Sequence, residues 1–481
     1  MKLVKSLLLG SAAGLAAVAG AQAADLPVKK AAPVEYVRVC STYGAGFFYV
    51  PGTDSCLRIS GRLRADYGFL EPFSRADDAI GIRVRGRVNF DHRTATPYGL
   101  LRTYIRYEID RNSGRFFTAN GEITTNPKLQ QGFIQFGGLT AGRVTSFFSN
   151  PDLPTTHMGT LRFDDAPDVD LLAYTYGFGN GFSATLSVED ALSRRDDTEL
   201  NGRAGFATVI NGTGTIFDGS VLANGVSGIG IPLLYGGNRV PDLVANVRYT
   251  GVWGGVQLSG AVHQIRDVAF NVGFNPLTPL LPAFADTDYG FAVGLSAYVN
   301  IPWLGAGDNA WIYGTYTDGA IAYINGGQDS PNYGAGFAVG NVLNVSVADA
   351  FVNGISGNLK TVRAWSVAGG VTHFWTPFFK SSVFGSYADF DAPGAAQVFN
   401  IATGTLGGLV DFREYRIGLN SFWLPIPGFQ VGVEALYTKV DPQGRVLVPV
   451  SNLAGTTFPN AFKASSGEDI WEGRLRIQRD F

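Results

Sequence analysis

The chain is poor in the residues that carry out chemistry. Its 481 residues hold four histidines and two cysteines, too few for a nucleophile, a base and an orienting group in several arrangements. No H-E-x-x-H, no phosphate-cradling P-loop, no Gly-x-Ser-x-Gly and no calcium nonapeptide array occurs. His92 follows Asp91, but adjacent strand residues point to opposite faces, so the two cannot cooperate. His157 reads as a solvated loop histidine, and His263 and His373 lie in no recognisable motif. These absences argue against an enzyme and against a resident metal or cofactor.

Long apolar runs are missing too. No segment after the N-terminus offers 18 uninterrupted apolar residues, which excludes membrane-spanning helices. The run Leu7 to Gly20 is short and rich in Ala and Gly. With Lys2 and Lys5 before it and Ala21-Gln-Ala23 after it, residues 1–23 read as a secretory signal peptide. The formal charge is −3, too modest to suggest a nucleic-acid partner.

Cys40 and Cys56 are the only cysteines. Their spacing fits no zinc pattern, and an oxidising periplasm favours a disulfide within an N-terminal segment, residues 24–56. Closing a loop of this size stabilises by about 3 kcal/mol in the chain-entropy model.

What the chain has in quantity is period-2 alternation, supported by 34 Phe and 20 Tyr as strand formers and 63 Gly for turns. The segment Leu57 to Phe69 sets Leu57, Ile59, Leu63 and Tyr67 against Arg58, Ser60, Arg62, Arg64 and Asp66. Ile80 to Asp91 sets Ile82, Val84, Val88 and Phe90 against Arg83, Arg85, Arg87, Asn89 and Asp91. Leu100 to Asp110 sets Leu101, Ile105, Tyr107 and Ile109 against Arg102, Arg106, Glu108 and Asp110. Charged side chains facing lipid at mid-bilayer cost about 2–4 kcal/mol each, so these arginines must face water. A soluble core could not take three such faces; a lumen could.

Further strands are expected from near Leu129, Leu139, Leu171, Phe182, Leu243, Val256, Tyr289, Asn309, Val362, Phe378, Phe412, Phe429 and Asp469. Those near Leu129, Asn309 and Phe378 alternate poorly. The total is sixteen, an even number that closes an antiparallel barrel with both ends on one side. Short turns at Thr94–Gly99, Gly137–Gly138, Gly177–Gly181, Gly251–Gly255, Ile301–Asp308, Trp375–Pro377 and Leu424–Gly428 alternate with long stretches. Trp253, Trp303, Trp311, Phe374, Trp375, Phe378, Phe422 and Trp423 gather beside the short turns, as a membrane-interface girdle requires. The chain closes on an aromatic, Phe481, after Trp471, Leu475 and Ile477 on one face and Glu472, Arg474, Arg476, Gln478 and Asp480 on the other.

These residues resemble the general porins of alphaproteobacterial (Rhizobiales-type) outer membranes. The most specific parts are Cys40-Ser-Thr-Tyr-Gly-Ala-Gly-Phe-Phe-Tyr-Val-Pro-Gly-Thr-Asp-Ser-Cys56 and Gln135-Phe-Gly-Gly-Leu-Thr-Ala-Gly-Arg143, together with the terminal Phe481. The resemblance implies an all-β outer-membrane protein, a homotrimer of sixteen-stranded barrels passing small hydrophilic solutes by diffusion. It implies contact with lipid and lipopolysaccharide, and a terminal strand read through Phe481 by the barrel-assembly machinery. It also implies that the third long loop, about residues 145–169, folds inward. Asp152, Asp164, Asp165, Asp168 and Asp170 would then face a wall of Arg58, Arg62, Arg64, Arg83, Arg85, Arg87, Arg102 and Arg106. Acids and arginines nearly cancel in that arrangement, so no ion preference follows.

Two alternatives stay open: a solute-selective channel and a barrel whose loops bind a host surface, adhesin-like. Tyr104 is one aromatic in a basic face, not the continuous slide a selective channel shows. The 33 residues between the signal and Leu57 are too few for the plug of an energised transporter.

Overall fold

The computed structural model describes residues 38–72, 78–114, 116–118, 122–164, 166–195, 230–232, 235–267, 286–326, 347–353, 358–393, 397–400, 405–408, 411–451 and 461–481. The expected signal peptide, residues 1–23, lies outside the described residues. Two units are distinguished, ending and beginning at Cys56 and Leu57.

In the first unit a disulfide joins Cys40 to Cys56. Both cysteines and Phe47 are fully shielded, and Tyr43 and Tyr49 pack against them. Backbone bonds from Cys40 N–H to Phe47 O (2.9 Å) and from Tyr49 N–H to Arg38 O (2.8 Å) tie the segment across. The covalent link and three apolar side chains make a core of minimal size.

The second unit is the barrel. Its strands are β1 (Ser55–Leu70), β2 (Ile80–Thr96), β3 (Gly99–Ser113), β4 (Thr124–Phe136), β5 (Leu139–Thr145), β6 (Asp168–Gly179), β7 (Phe182–Glu189) and β8 (Asp242–Gly251). They continue as β9 (Gly254–Arg266), β10 (Thr287–Asn300), β11 (Asn309–Asp318), β12 (Arg363–Thr376), β13 (Phe379–Asp391), β14 (Phe412–Ile426), β15 (Phe429–Pro442) and β16 (Glu468–Asp480). Each pairs with the next, and β16 returns to β1 through Arg62↔Asp480 to Leu70↔Glu472, closing a sixteen-stranded antiparallel ring. Closure leaves no backbone group at a free edge, the condition for strands to cross lipid.

All seven short turns fall where the glycine and proline clusters place them. The β6–β7 turn is Asn180–Gly181, with φ of 52° and 85°, the pattern that matches the twist of a hairpin. A Cβ at Gly181 would sit 2.1 Å from the Thr250 carbonyl oxygen, so only glycine fits. The long connections hold a feature the alternation does not announce. Two small sheets form there, one from Gly230–Pro232, Ala350–Asn353 and Leu359–Thr361, the other from Gln397–Asn400, Thr405–Gly408, Val446–Ser451 and Ala461–Ser465.

The burial is inverted relative to a soluble protein. Ile59, Leu63, Ile312, Val383 and Leu419 are each at least half exposed on the outer face. Asp66, Asp91, Glu108, Glu434 and Arg476 are buried on the inner one. Apolar surface of that extent is stable only against lipid. Trp253, Trp303, Trp375, Phe378 and Trp423 are exposed beside the short turns, as a girdle should be. Trp311 and Phe422 are not: each is buried, because their outward neighbours Ile312 and Trp423 hold the opposite parity.

Candidate functional site in the barrel lumen

Parity fixes which side chains enter the lumen. On β1 and β3 they are the even positions and on β2 the odd ones, so Arg58, Arg62, Arg64, Arg83, Arg85, Arg87, Arg93, Arg102 and Arg106 share one wall. Arg93 lies outside the eight read from the sequence; the β2 pattern continues past Asp91 and carries it. Acids on the same strands hold much of this set. Arg85 grips both oxygens of Asp110 at 2.5 and 2.8 Å, and Arg87 pairs with Glu108. Arg93 and Arg102 both donate to Asp91, with Arg58 at 3.9 Å from the same carboxylate. Arg62 reaches Asp480 on β16 at 2.5 Å. Neutral groups hold others: Arg64 donates to Gln478 (2.9 Å), Arg83 to Asn112 (2.7 Å), and Arg106 to Asn89 (3.2 Å) and Tyr104 (2.9 Å).

The connection from β5 to β6, residues 146–167, runs inside the barrel. At its base Glu189, the last residue of β7, accepts from Ser146 Oγ (2.7 Å) and Phe147 N–H (3.0 Å). Gln257 on β9 donates to the carbonyls of Phe147, Phe148 and Ser149, and Asn150 donates to Ser296 on β10. Further along, Glu434 on β15 accepts the Met158 N–H (2.8 Å), the Thr160 hydroxyl (2.5 Å) and an Asn420 N–H (3.0 Å). The Met158 carbonyl takes donors from Arg474 and Arg476 on β16, and Arg416 donates to the Thr160 carbonyl at 2.8 Å. The backbone of one residue, Met158, is thus held through both its N–H and its carbonyl by charged side chains, each such bond worth about 1.5–3 kcal/mol. Phe148, Leu161 and Phe163 add an apolar anchor among Trp311, Tyr313, Phe384, Phe390 and Phe412.

A second segment also turns inward, which the strand pattern did not reveal. After β11 a single helical turn, α1 (Ala322–Asn325), is wholly buried. The Tyr323 hydroxyl donates to Asp242 on β8 at 2.7 Å, and its ring meets that of Phe148 edge-on at 4.8 Å. Burial, and then the charge of Asp242, push this phenol well above its ordinary range. The run Gly319-Ala-Ile-Ala-Tyr-Ile324 is the sequence signal for it, an apolar stretch inside a long connection.

Each described acid of the inward loop region has a partner away from the nine-arginine wall. Asp152 pairs with Arg248, and Asp164 with His157 at 2.6 Å. His157 is therefore not a solvated loop residue; its side chain is 11% exposed. Gly159 N–H donates to its Nδ1, which leaves Nε2 to carry the proton toward Asp164. Asp168 accepts from Gln130, Gln131 and Thr145, and Asp170 lies 3.8 Å from Arg143. Asp165 lies outside the described residues. At the seam, Phe481 N–H donates to Gly61 O (3.0 Å) and Gly61 N–H to Phe481 O (2.8 Å), so the last residue completes the ring.

Comparisons with known proteins agree with this architecture. Residues 25–473 match the family described as Porin subfamily. Porin Omp2b of Brucella suis is 33% identical over 263 residues, 53% of this chain and 64% of that protein. Porin Omp2a of Brucella ovis is 38% identical over 207 residues, 39% of this chain and 59% of that one. The matches thus span a little under two thirds of these relatives' length. Among solved structures, the outer membrane channel DcaP of Acinetobacter baumannii shares the fold at a TM-score of 0.57 and 14% identity, over 90% of this chain and 99% of that one. With a closed sixteen-stranded barrel, an apolar outer face and a family match across nearly all its length, the chain belongs to the porin subfamily, as a multi-pass protein of the bacterial outer membrane.

Proposed function

We propose that the barrel is a water-filled channel for passive diffusion of small hydrophilic solutes and ions, narrowed where loop 146–167 stands opposite the arginine wall. The observation that carries this reading is the one-sided anchoring of the loop. Its bonds go to β7, β8, β9, β10, β12, β14, β15 and β16, whereas the arginine side chains of β1–β3 keep up to 40% of their surface open. Water is left one sector to occupy. Fixed charges in a narrow passage with low-dielectric walls order that water, favour dipolar solutes and disfavour apolar ones.

Asp152, Asp164, Asp165 and Asp168 belong to this filter as its acidic side; Asp170, on the exposed face of β6 with Leu172 and Tyr174, does not. The chain works as a homotrimer, sheathed in lipid and lipopolysaccharide, after removal of residues 1–23. The assembly machinery recognises the terminal strand, with Phe481 as its last contact. The Gly61–Phe481 bonds support that role, since recognising this residue would select strands able to close the ring.

The test is single-channel recording of the purified protein in a planar bilayer. Ohmic steps arriving in threes are expected. A protein that is folded as a barrel and fails to conduct would overturn the diffusion reading and leave the loops to carry the function.

A further inference from the structure

We infer that this channel favours anions, and that its ligand class is small solutes bearing carboxylate or phosphate groups. The inference rests on the diffusion reading and names its substrate class. Its basis is the charge left on the open wall. The inward faces of β1, β2 and β3 carry nine arginines against four acids, Asp66, Asp91, Glu108 and Asp110, an excess of five positive charges. Extending the count to β4, β5 and β6 adds Lys128 against Asp168 and leaves the excess unchanged, since Arg143 and Asp170 pair on the outer parity of Leu172 and Tyr174. Of the described acids of the loop, Asp152 is spent on Arg248, and Asp164, whose side chain is 5% exposed, turns to His157 and not to this wall.

The arginines also form a stair. Registered pairs across β2 and β3 run Arg93↔Arg102, Asp91↔Tyr104, Asn89↔Arg106, Arg87↔Glu108, Arg85↔Asp110 and Arg83↔Asn112. Strands rise about 3.3 Å per residue, so basic groups recur at roughly 7 Å intervals along the wall. An anion leaving one guanidinium therefore meets the next before it must regain full hydration. Arg64 and Arg106 are the clearest landing points, because their bonds go to Gln478, Asn89 and Tyr104, which neutralise nothing. Guanidinium forks match two oxygens of a carboxylate or phosphate at once, which chloride cannot exploit. The same wall should thus pass chloride and briefly hold oxyanions.

Two readouts in planar bilayers test this. Under a potassium chloride gradient the reversal potential should report chloride as the more permeant ion. Inorganic phosphate added to chloride should lower the single-channel current in a saturable way. Arg64→Gln with Arg106→Gln should cut the chloride preference by about twofold or more, since two of five excess charges go. Arg64→Lys with Arg106→Lys should keep the chloride preference and lose the phosphate effect, because charge stays and the fork goes. An open channel that prefers potassium, or is indifferent to ion sign, overturns the inference while leaving the diffusion reading intact. Absence of any conductance would instead strike the diffusion reading. Phosphate without effect on wild-type current would overturn the oxyanion class.

Discussion

The inner wall has two sectors built from the same residue types and put to different use. From β1 to β3, arginines pair along their own wall and stay partly open: Arg85 and Arg87 are 18% and 17% exposed, Arg62 27%. From β14 to β16, Arg416 and Arg476 are 4% and 6% exposed and bond to loop backbone as well as to carboxylates. An arginine beside water acts on what passes. An arginine under a loop acts on the loop. The lesson is that charge count does not assign a pore-lining role; the path of the inward loop does.

Four tests sharpen or break that contrast. The largest effect is expected at Phe390, stacked on Phe412 at 4.5 Å in the packed sector. Phe390→Ala should lose about 3–5 kcal/mol, seen in unfolding of the detergent-solubilised barrel. A loss under about 1 kcal/mol would show that the loop does not rest on this core. Next, Asp66→Asn breaks the shielded Arg476–Asp66 pair and should cost about 3–5 kcal/mol. Asp480→Asn at the open Arg62–Asp480 pair should cost under about 1 kcal/mol. Equal costs in the same unfolding assay would erase the distinction between sectors.

Third, Glu434→Gln weakens the acceptor of Met158, Thr160 and Asn420 by about 2 kcal/mol and loosens the loop. Open-channel current noise should rise while the mean conductance changes little; unchanged noise would mean that the arginines hold the loop without it. The smallest effect is expected for Asp164→Asn together with Asp165→Asn. The reversal potential should move toward anions by less than about twofold in permeability ratio, because Asp164 is bonded to His157 and only 5% exposed. No shift would place both acids outside the filter.

Much of the barrel was legible beforehand. Fifteen of the sixteen strands begin within three residues of where alternation places them. The exception is β4, read from Leu129 and beginning at Thr124. Its first residues, Thr-Thr-Asn-Pro-Lys, show no apolar alternation, and the pairing with β3 shifts register between Arg106 and Tyr107. Trp311 and Phe422 show how close parity runs to error, since one residue moves a ring from lipid to lumen. For the site, sequence gave the inward arginines but not their partners. Asp91, Glu108 and Asp110 were visible on the same faces, yet which arginine each holds depends on cross-strand register.

Sequence by itself determined the strand set, the rhythm of short and long connections, the apolar outer face and the basic inner one. Each follows from local geometry: side chains on a strand alternate, and turns demand particular residues. Tertiary structure alone decided which half of the lumen is filled. That depended on where residues 146–167 and α1 come to rest, through bonds such as Met158 to Glu434, 276 residues apart, and Tyr323 to Asp242, 81 apart. Contacts at such separation arise only when the ring has closed around them. The arginines then differ in role because closure left some beside water and placed others under the loop.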